Sequence, residues 1–128
     1  MRILSFALPF AVAVGLTAAP ASAYLASNGL VVQPQGDGFY VPYRGKSGAR
    51  AFWCAAGEYA QKQLGLSPSV TIFRTSEPPR RSGEGIAFSL SPGQAASKTG
   101  LATFGTRGGG ISINHARSLC DESPFLFR

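Results

Sequence analysis

Titratable side chains are scarce in this sequence. Its 128 residues include one histidine, two cysteines and six acidic residues. Acid–base catalysis near neutral pH depends on a group such as histidine, and only His115 is of this type. A zinc or calcium site needs several ligands at suitable spacing, which one histidine and scattered carboxylates do not supply. We therefore expect no metal, no cofactor and, as the leading interpretation, no catalytic site.

Two motif classes are also missing. No serine lies in a nucleophile-elbow pattern. Gly45-Lys46-Ser47 resembles the end of a phosphate-binding loop, but the full pattern requires a glycine where Tyr40 stands. An alternative stays open at the level of fold analogy, namely a small basic exported hydrolase of the ribonuclease type that uses His115. Possible assistants to such a histidine are Arg107, Arg117, Glu77, Glu84, Asp121 and Glu122.

The first 23 residues have the pattern of a cleaved export signal. Met1-Arg2 gives a positive start, residues 3–19 are mostly apolar, and Ala21-Ser22-Ala23 has the small-x-small form of a signal peptidase site. An uncleaved membrane anchor is the weaker alternative, because prolines and a glycine interrupt the apolar run. We expect cleavage after Ala23, a periplasmic or secreted protein, and no transmembrane span in the mature chain.

The mature chain, residues 24–128, is short and basic. Its 105 residues suffice for one domain and are too few for two. Without Arg2 it keeps 11 basic side chains against 6 acidic ones, a net charge of +5. Such a charge favours anionic surroundings, for example phospholipid headgroups, lipid-linked phosphates, cell-wall carboxylates or nucleic acid. The alternative is that scattered charges only keep the protein soluble.

Cys54 and Cys120 are the only cysteines. Exported proteins fold in an oxidising compartment, where two cysteines form a disulfide by default. The alternative, a nucleophilic Cys54 near a helix start, needs a free thiolate. The sequence therefore predicts a Cys54–Cys120 disulfide that ties a central helix to the C-terminal segment.

The central helix is predicted from Ser47 to Gly65, about four turns. Ser47 is the expected N-terminal cap, and Gly65 the left-handed stop. Apolar residues recur at helical spacing on one face: Phe52, Ala55, Ala56, Tyr59, Ala60 and Leu64. The opposite, polar face is expected to carry Arg50, Glu58, Gln61 and Lys62.

Short β-prone runs surround this helix. Residues 30–33 and 39–43 predict a hairpin that turns at residues 34–38, and Pro42 is expected either to place its strand at the sheet edge or to end the pairing there. Further strands are predicted at residues 69–75, 86–90, 101–104 and 111–114, with residues 115–120 extending the last strand or turning. Inward side chains are expected at Ile86, Phe88 and Leu90. The predicted fold class is α+β, an antiparallel sheet of about four to six strands packed on one amphipathic helix.

Two groups of basic residues are candidates for anion binding. Arg44, Lys46, Ser47 and Arg50 cluster around the predicted helix start, where backbone N–H groups favour negative charge. Arg80 and Arg81 lie in a loop with two prolines and two glycines, which excludes regular structure. The aromatic hairpin beside these groups completes a candidate binding surface, and the alternative places its Phe39 and Tyr43 in the core.

Phe52-Trp53-Cys54-Ala55-Ala56, followed by Tyr59-Ala60, the segment 86–90 and a late Cys120, resembles a group of small exported bacterial proteins of unassigned function. The resemblance implies an exported, disulfide-bonded domain and brings no catalytic residues with it. The leading expectation is a non-catalytic exported domain that binds an anionic envelope component or another envelope protein.

Overall fold

The computed structural model describes residues 23–45, 48–101 and 108–120. The six strands are β1 (Tyr24–Leu25), β2 (Val31–Gln35), β3 (Gly38–Val41), β4 (Thr71–Arg74), β5 (Ile86–Ser89) and β6 (Gly110–Ser112). They form one sheet in the order β1-β2-β3-β5-β4-β6, and all neighbours are antiparallel. The helices are α1 (Ala49–Glu58), which continues into a π-helical turn (Tyr59–Gln63), and α2 (Ile113–Ser118). The predicted α+β class is confirmed.

The core lies between α1 and one face of the sheet. Trp53 packs edge-on against Phe88, with ring centroids 4.9 Å apart, and Phe39 contacts Tyr59 at the same distance. Strand alternation supplies the sheet side of this core, since every second residue points to the same face. The buried hydrophobic residues of the sheet are Val32, Phe39, Val41, Ile72, Ile86, Phe88 and Ile111.

The hairpin forms as predicted, but its turn is shorter than expected. β2 runs through Pro34 to Gln35, which pairs with Gly38, so only Gly36 and Asp37 form the turn. Gly36 has a φ of 59°, a left-handed conformation that glycine adopts without strain. β3 ends at Val41, as expected from Pro42.

The start of α1 differs from the prediction. Gly48 is its N-terminal cap residue, and no side chain caps the helix. Ser47 itself lies outside the described residues. The end agrees with the prediction, because Gly65 has a φ of 71°.

Two residues lie on the opposite side of α1 from the one expected. Glu58 is buried, since the segment around β1 covers it, and Leu64 is 41% exposed. The π-helical turn explains Leu64: its N–H donates to the carbonyl of Tyr59, five residues earlier, at 3.1 Å. This wider turn rotates later residues out of the 3.6-residue period on which the prediction depended.

The chain around β5 and β6 needs two further corrections. Leu90 is 38% exposed because β5 ends at Ser89, whose hydroxyl accepts a hydrogen bond from the Ser91 N–H at 2.9 Å and closes a turn. After β6 the chain forms α2, where an extended strand or a turn was expected. Ser112 caps this helix, because its hydroxyl accepts from the His115 N–H at 3.0 Å. The predicted strand at 101–104 lies largely outside the described residues.

The predicted disulfide is confirmed and joins α1 to the residues after α2. Cys54 and Cys120 have sulfur atoms 2.08 Å apart and Cα atoms 4.8 Å apart, with 66 residues of separation in sequence. The two helices also approach closely, since a Cβ on Gly57 would lie 2.7 Å from the Cβ of Ala116. The short C-terminal helix is therefore held against α1 by both a covalent bond and a glycine contact.

Replacing both cysteines (Cys54→Ala with Cys120→Ala) should lower the free energy of unfolding. On the loop-entropy model, a disulfide that closes a loop of this length raises the free energy of the unfolded chain by about 4 kcal/mol, because it restricts the conformations open to that chain. Urea unfolding of the oxidised wild type and the double variant would measure the difference. An unchanged midpoint would contradict a stabilising role for the disulfide.

Candidate functional site

Strand alternation places a charged residue in the core. Arg74 is the last residue of β4 and shares its inward face with Ile72, two positions earlier. It is only 2% exposed. A buried guanidinium requires hydrogen-bond acceptors, because the charge cannot be removed at physiological pH. The fold must therefore supply acceptors for the Arg74 guanidinium.

Two carbonyl oxygens hold the Arg74 side chain. Its Nε donates to the carbonyl of Ser76 at 2.6 Å, and its Nη1 donates to the carbonyl of Thr99 at 3.1 Å. The Thr99 carbonyl also accepts from Nε1 of Trp53 at 3.0 Å, which connects α1 to the same point. Gly100 lies against the guanidinium, since a Cβ there would be 2.4 Å from Nη1. The guanidinium is thus fixed in position.

Within the described ranges, no residue accepts a hydrogen bond from Nη2 of Arg74, and no carboxylate forms an ion pair with it. Burial, followed by the charge of Arg80, lowers the pKa of Arg74, and the charge of Glu77 acts in the opposite direction. Glu77 is directed elsewhere: its carboxylate accepts from the Ser97 N–H at 3.0 Å and from the Ser97 hydroxyl at 2.7 Å. Arg74 therefore keeps a donor for which the described chain provides no acceptor.

Arg74 lines a cavity of about 400 Å³. Two more basic residues, Arg80 and Lys98, line the same cavity. Ala49, the first residue of α1, also lines it, and the first turn of α1 contains no acidic residue. The positive end of the helix dipole adds to the three cationic side chains. The remaining wall consists of Pro78, Pro79, Ile86 and Gly100.

Arg80 is positioned by aromatic rings and by its own loop. Its guanidinium carbon lies 5.1 Å from the ring centroid of Tyr43 and 5.2 Å from that of Phe52. Its Nη1 donates to the carbonyls of Arg81 and Glu84, at 3.0 and 2.8 Å. The cation–π contacts orient the charge beside the cavity.

The structure brings only part of the predicted anion-binding set together. Arg80 lines the cavity, whereas Arg44, Arg50 and Arg81 are exposed and are not among its lining residues. Lys46 and Ser47 lie outside the described residues. The predicted set lacks Arg74 and Lys98. Arg74 could have been predicted, because it lies two residues after the inward-facing Ile72 in the same strand. Lys98 lies outside the helices and strands, so no periodic pattern indicated its position.

His115, the candidate for acid–base chemistry, lies on α2. Its backbone carbonyl accepts from the Ser118 hydroxyl at 2.6 Å, and its side chain is half-buried. No described residue forms a hydrogen bond with its imidazole. It is not among the residues that line the Arg74 cavity. The one histidine and the cationic cavity are therefore separate features.

A second polar cluster surrounds Glu58 in α1, which is 3% exposed. Its carboxylate accepts from the Tyr24 hydroxyl at 2.7 Å, from the Ser27 hydroxyl at 2.7 Å and from the Ser27 N–H at 3.1 Å. Burial alone would raise the pKa of Glu58, but these hydrogen bonds and the charge of Lys62 outweigh it and lower the pKa. Burial, together with Glu58, raises the pKa of Tyr24 to about 12. The cluster stabilises the ionised carboxylate.

The Glu58 carboxylate and the two sulfur atoms of the disulfide lie within 4.8 Å of one another. Such a group would resemble a metal site if the sulfurs were thiolates. Both sulfurs are bonded to each other, however, which leaves Glu58 alone with an available ligand atom. The disulfide and the carboxylate are best described as neighbouring structural features.

Comparisons of the chain with protein-family models, with curated proteins and with solved structures gave no match. In the part of the chain that the structure describes, no helix has the length and apolar character needed to cross a membrane.

Replacing Glu58 with glutamine should make the free energy of unfolding decrease less as the pH is lowered. Because the pKa of Glu58 is lower in the folded state, its stabilising effect is present above its unfolded pKa and is lost as the pH falls through the folded pKa. At pH 7 the free energy of unfolding of the variant should be about 2 kcal/mol lower than that of the wild type, as expected when the hydrogen bonds of a buried charge are weakened. Below pH 4.5 it should decrease less than that of the wild type. Urea unfolding between pH 3 and 7 would measure this.

Asp37→Asn provides the control, since it removes one negative charge from the exposed hairpin turn. If it flattens the acid profile as much as Glu58→Gln does, the buried cluster is not responsible for the acid sensitivity.

Proposed function

We propose that this protein is an exported, non-catalytic domain that binds an anionic component of the cell envelope in the cavity around Arg74. The observation that carries the proposal is the Arg74 guanidinium, which carbonyl oxygens hold at the wall of the cavity and which has no ion-pair partner among the described residues. A buried charge without a paired partner is unfavourable. An anion in the cavity would provide an opposite charge close to Arg74 and an acceptor for its Nη2.

Charge around the cavity supports the same function. Arg74, Arg80 and Lys98 line the cavity, and among the described residues Glu77 is the acidic residue whose charge acts on Arg74 and Lys98. The amino end of α1 adds backbone N–H groups, which bind anions in many proteins. Phosphate is the anionic group common to lipid headgroups and to soluble phosphates. The cavity is therefore suited to a phosphate group from either source.

Export is supported by the sequence and by the position of β1. The predicted cleavage after Ala23 leaves this strand whole, because β1 begins at Tyr24. The Tyr24 hydroxyl then remains available to Glu58. The disulfide is consistent with an oxidising compartment. The resemblance of the segment around Trp53 to small exported bacterial proteins supports the same location.

Anion binding can be tested with inorganic phosphate and with phosphatidylglycerol vesicles. Isothermal titration would measure the phosphate affinity, and sedimentation would measure vesicle binding. Arg74→Gln should weaken binding by tenfold or more, since a charge-assisted hydrogen bond contributes about 1.5–3 kcal/mol. Lys98→Ala should weaken it a few-fold, because an exposed ion pair contributes about 0.2–1 kcal/mol.

Arg81→Ala is the matched control, because Arg81 is an exposed cation of the same surface that does not line the cavity. It should bind like the wild type. Circular dichroism establishes whether the Arg74→Gln variant is folded. If that variant does not fold, Arg74→Lys, which keeps the charge, is measured in its place. Equal binding by all variants would contradict the proposed site.

Export can be tested by expressing the full chain in a bacterial host and measuring the mass of the exported protein by mass spectrometry. We expect the mass of residues 24–128, two hydrogens lighter than the reduced form because of the disulfide. A protein that stays in the cytoplasm with residues 1–23 attached would contradict export.

A further inference from the structure

The two residues of the disulfide differ in exposure. Cys54 lies in the middle of α1 and is 1% exposed, whereas Cys120, after α2, is half-buried. A thiolate that attacks a disulfide bonds to one sulfur atom and displaces the other. In the folded protein the more accessible sulfur is that of Cys120, so Cys54 is the leaving group of such an attack.

This leaving group lies beside an ionised carboxylate. Cys54 and Glu58 are four residues apart in α1 and therefore share one face of the helix. The carboxylate oxygen lies within 4.8 Å of both sulfur atoms. Hydrogen bonds from the Tyr24 hydroxyl and from the hydroxyl and N–H of Ser27 hold the carboxylate in place. None of these contacts involves the disulfide, so its opening places a thiolate next to a fixed negative charge.

Positive charges near this cluster are more exposed than Glu58. Lys62 is exposed, and Arg117 of α2 is half-buried and donates from Nη1 to the side chain of Gln61. The pKa of Tyr24 is raised to about 12, so its hydroxyl stays neutral. Solvent screens an exposed charge more strongly than a buried one. Glu58 is 3% exposed, and its charge therefore acts on the sulfur atoms with the least screening.

We infer that Glu58 protects the Cys54–Cys120 disulfide from thiol reductants, because it disfavours the thiolate that Cys54 must become. In the first step the thiolate of a dithiol reductant bonds to the sulfur of Cys120, and the electron pair of the protein S–S bond passes to the sulfur of Cys54. In the second step the other thiol of the reductant displaces Cys120. The reductant is thereby oxidised to its own disulfide, and the protein gains two electrons and two protons. The first step is slow because an unstable thiolate is a poor leaving group.

The test measures how fast dithiothreitol reduces the oxidised protein, with the free thiols trapped by alkylation and counted by mass spectrometry. Glu58→Gln removes the charge at nearly constant side-chain size and should be reduced at least about tenfold faster than the wild type. Tyr24→Phe is the matched control, since it removes a hydrogen bond of the same cluster and keeps the charge. Its rate should stay close to that of the wild type.

The rates are compared at low urea concentrations, because reduction through global unfolding accelerates with urea. If every rate rises with urea, only the unfolded protein reacts and the inference is wrong. It is also wrong if Glu58→Gln and Tyr24→Phe are accelerated equally, since lost stability then explains both. If Glu58→Gln does not fold, Glu58→Asp is measured in its place. Its shorter side chain withdraws the carboxylate from the sulfur atoms, and an unchanged rate would contradict the inference.

Thiol ionisation provides a readout that a purely structural role of Glu58 would not change. After reduction, the ultraviolet absorbance of the thiolates is followed against pH. The thiols of the wild type should ionise at a higher pH than those of the variant at position 58, because the carboxylate repels the thiolate. Identical titration curves would contradict the inference. Neither measurement depends on anion binding in the Arg74 cavity.

Discussion

The carbonyl oxygen of Thr99 accepts hydrogen bonds from Trp53 and from Arg74, and this shared acceptor connects the helix to the end of β4. Trp53 is completely buried and Arg74 nearly so, and the Thr99 carbonyl satisfies one N–H group of each. One backbone oxygen therefore connects the helix, the sheet and the segment before Gly100. The same arrangement orients the guanidinium at the wall of the cavity. The core and the candidate site share one set of contacts.

The sequence was most informative where a simple period describes the backbone. Alternation predicted the inward positions of Ile86 and Phe88, and helical spacing predicted those of Phe52 and Ala60. The disulfide followed from the count of cysteines and the expected compartment. The errors occur where a local hydrogen bond ends the period, as at Ser89 before the exposed Leu90. The cap at Ser112 likewise begins a helix where a strand was expected.

The candidate site was harder to predict because its members are brought together by the fold and not by a motif. Arg80 was identified from its loop, but the cavity also depends on Arg74 and Lys98, which are 24 residues apart in sequence. Charge patterning indicates exposed cations, and a basic residue in a strand is normally assigned to the solvent face. The buried Glu58 illustrates the same difficulty, since its partners Tyr24 and Ser27 precede it by more than 30 residues.

Strand β2 has a further consequence for the behaviour of the folded protein. β1 pairs with it only at Val31 and Val32, so among the described residues no strand lies along the outer side of residues 33–35. Exposed sheet edges of this kind can recruit a strand from another molecule and so begin aggregation. Pro34 lies in the middle of this stretch and has no N–H to offer such a strand. A single imino acid thus removes one donor from this open margin of the sheet and disfavours intermolecular pairing there.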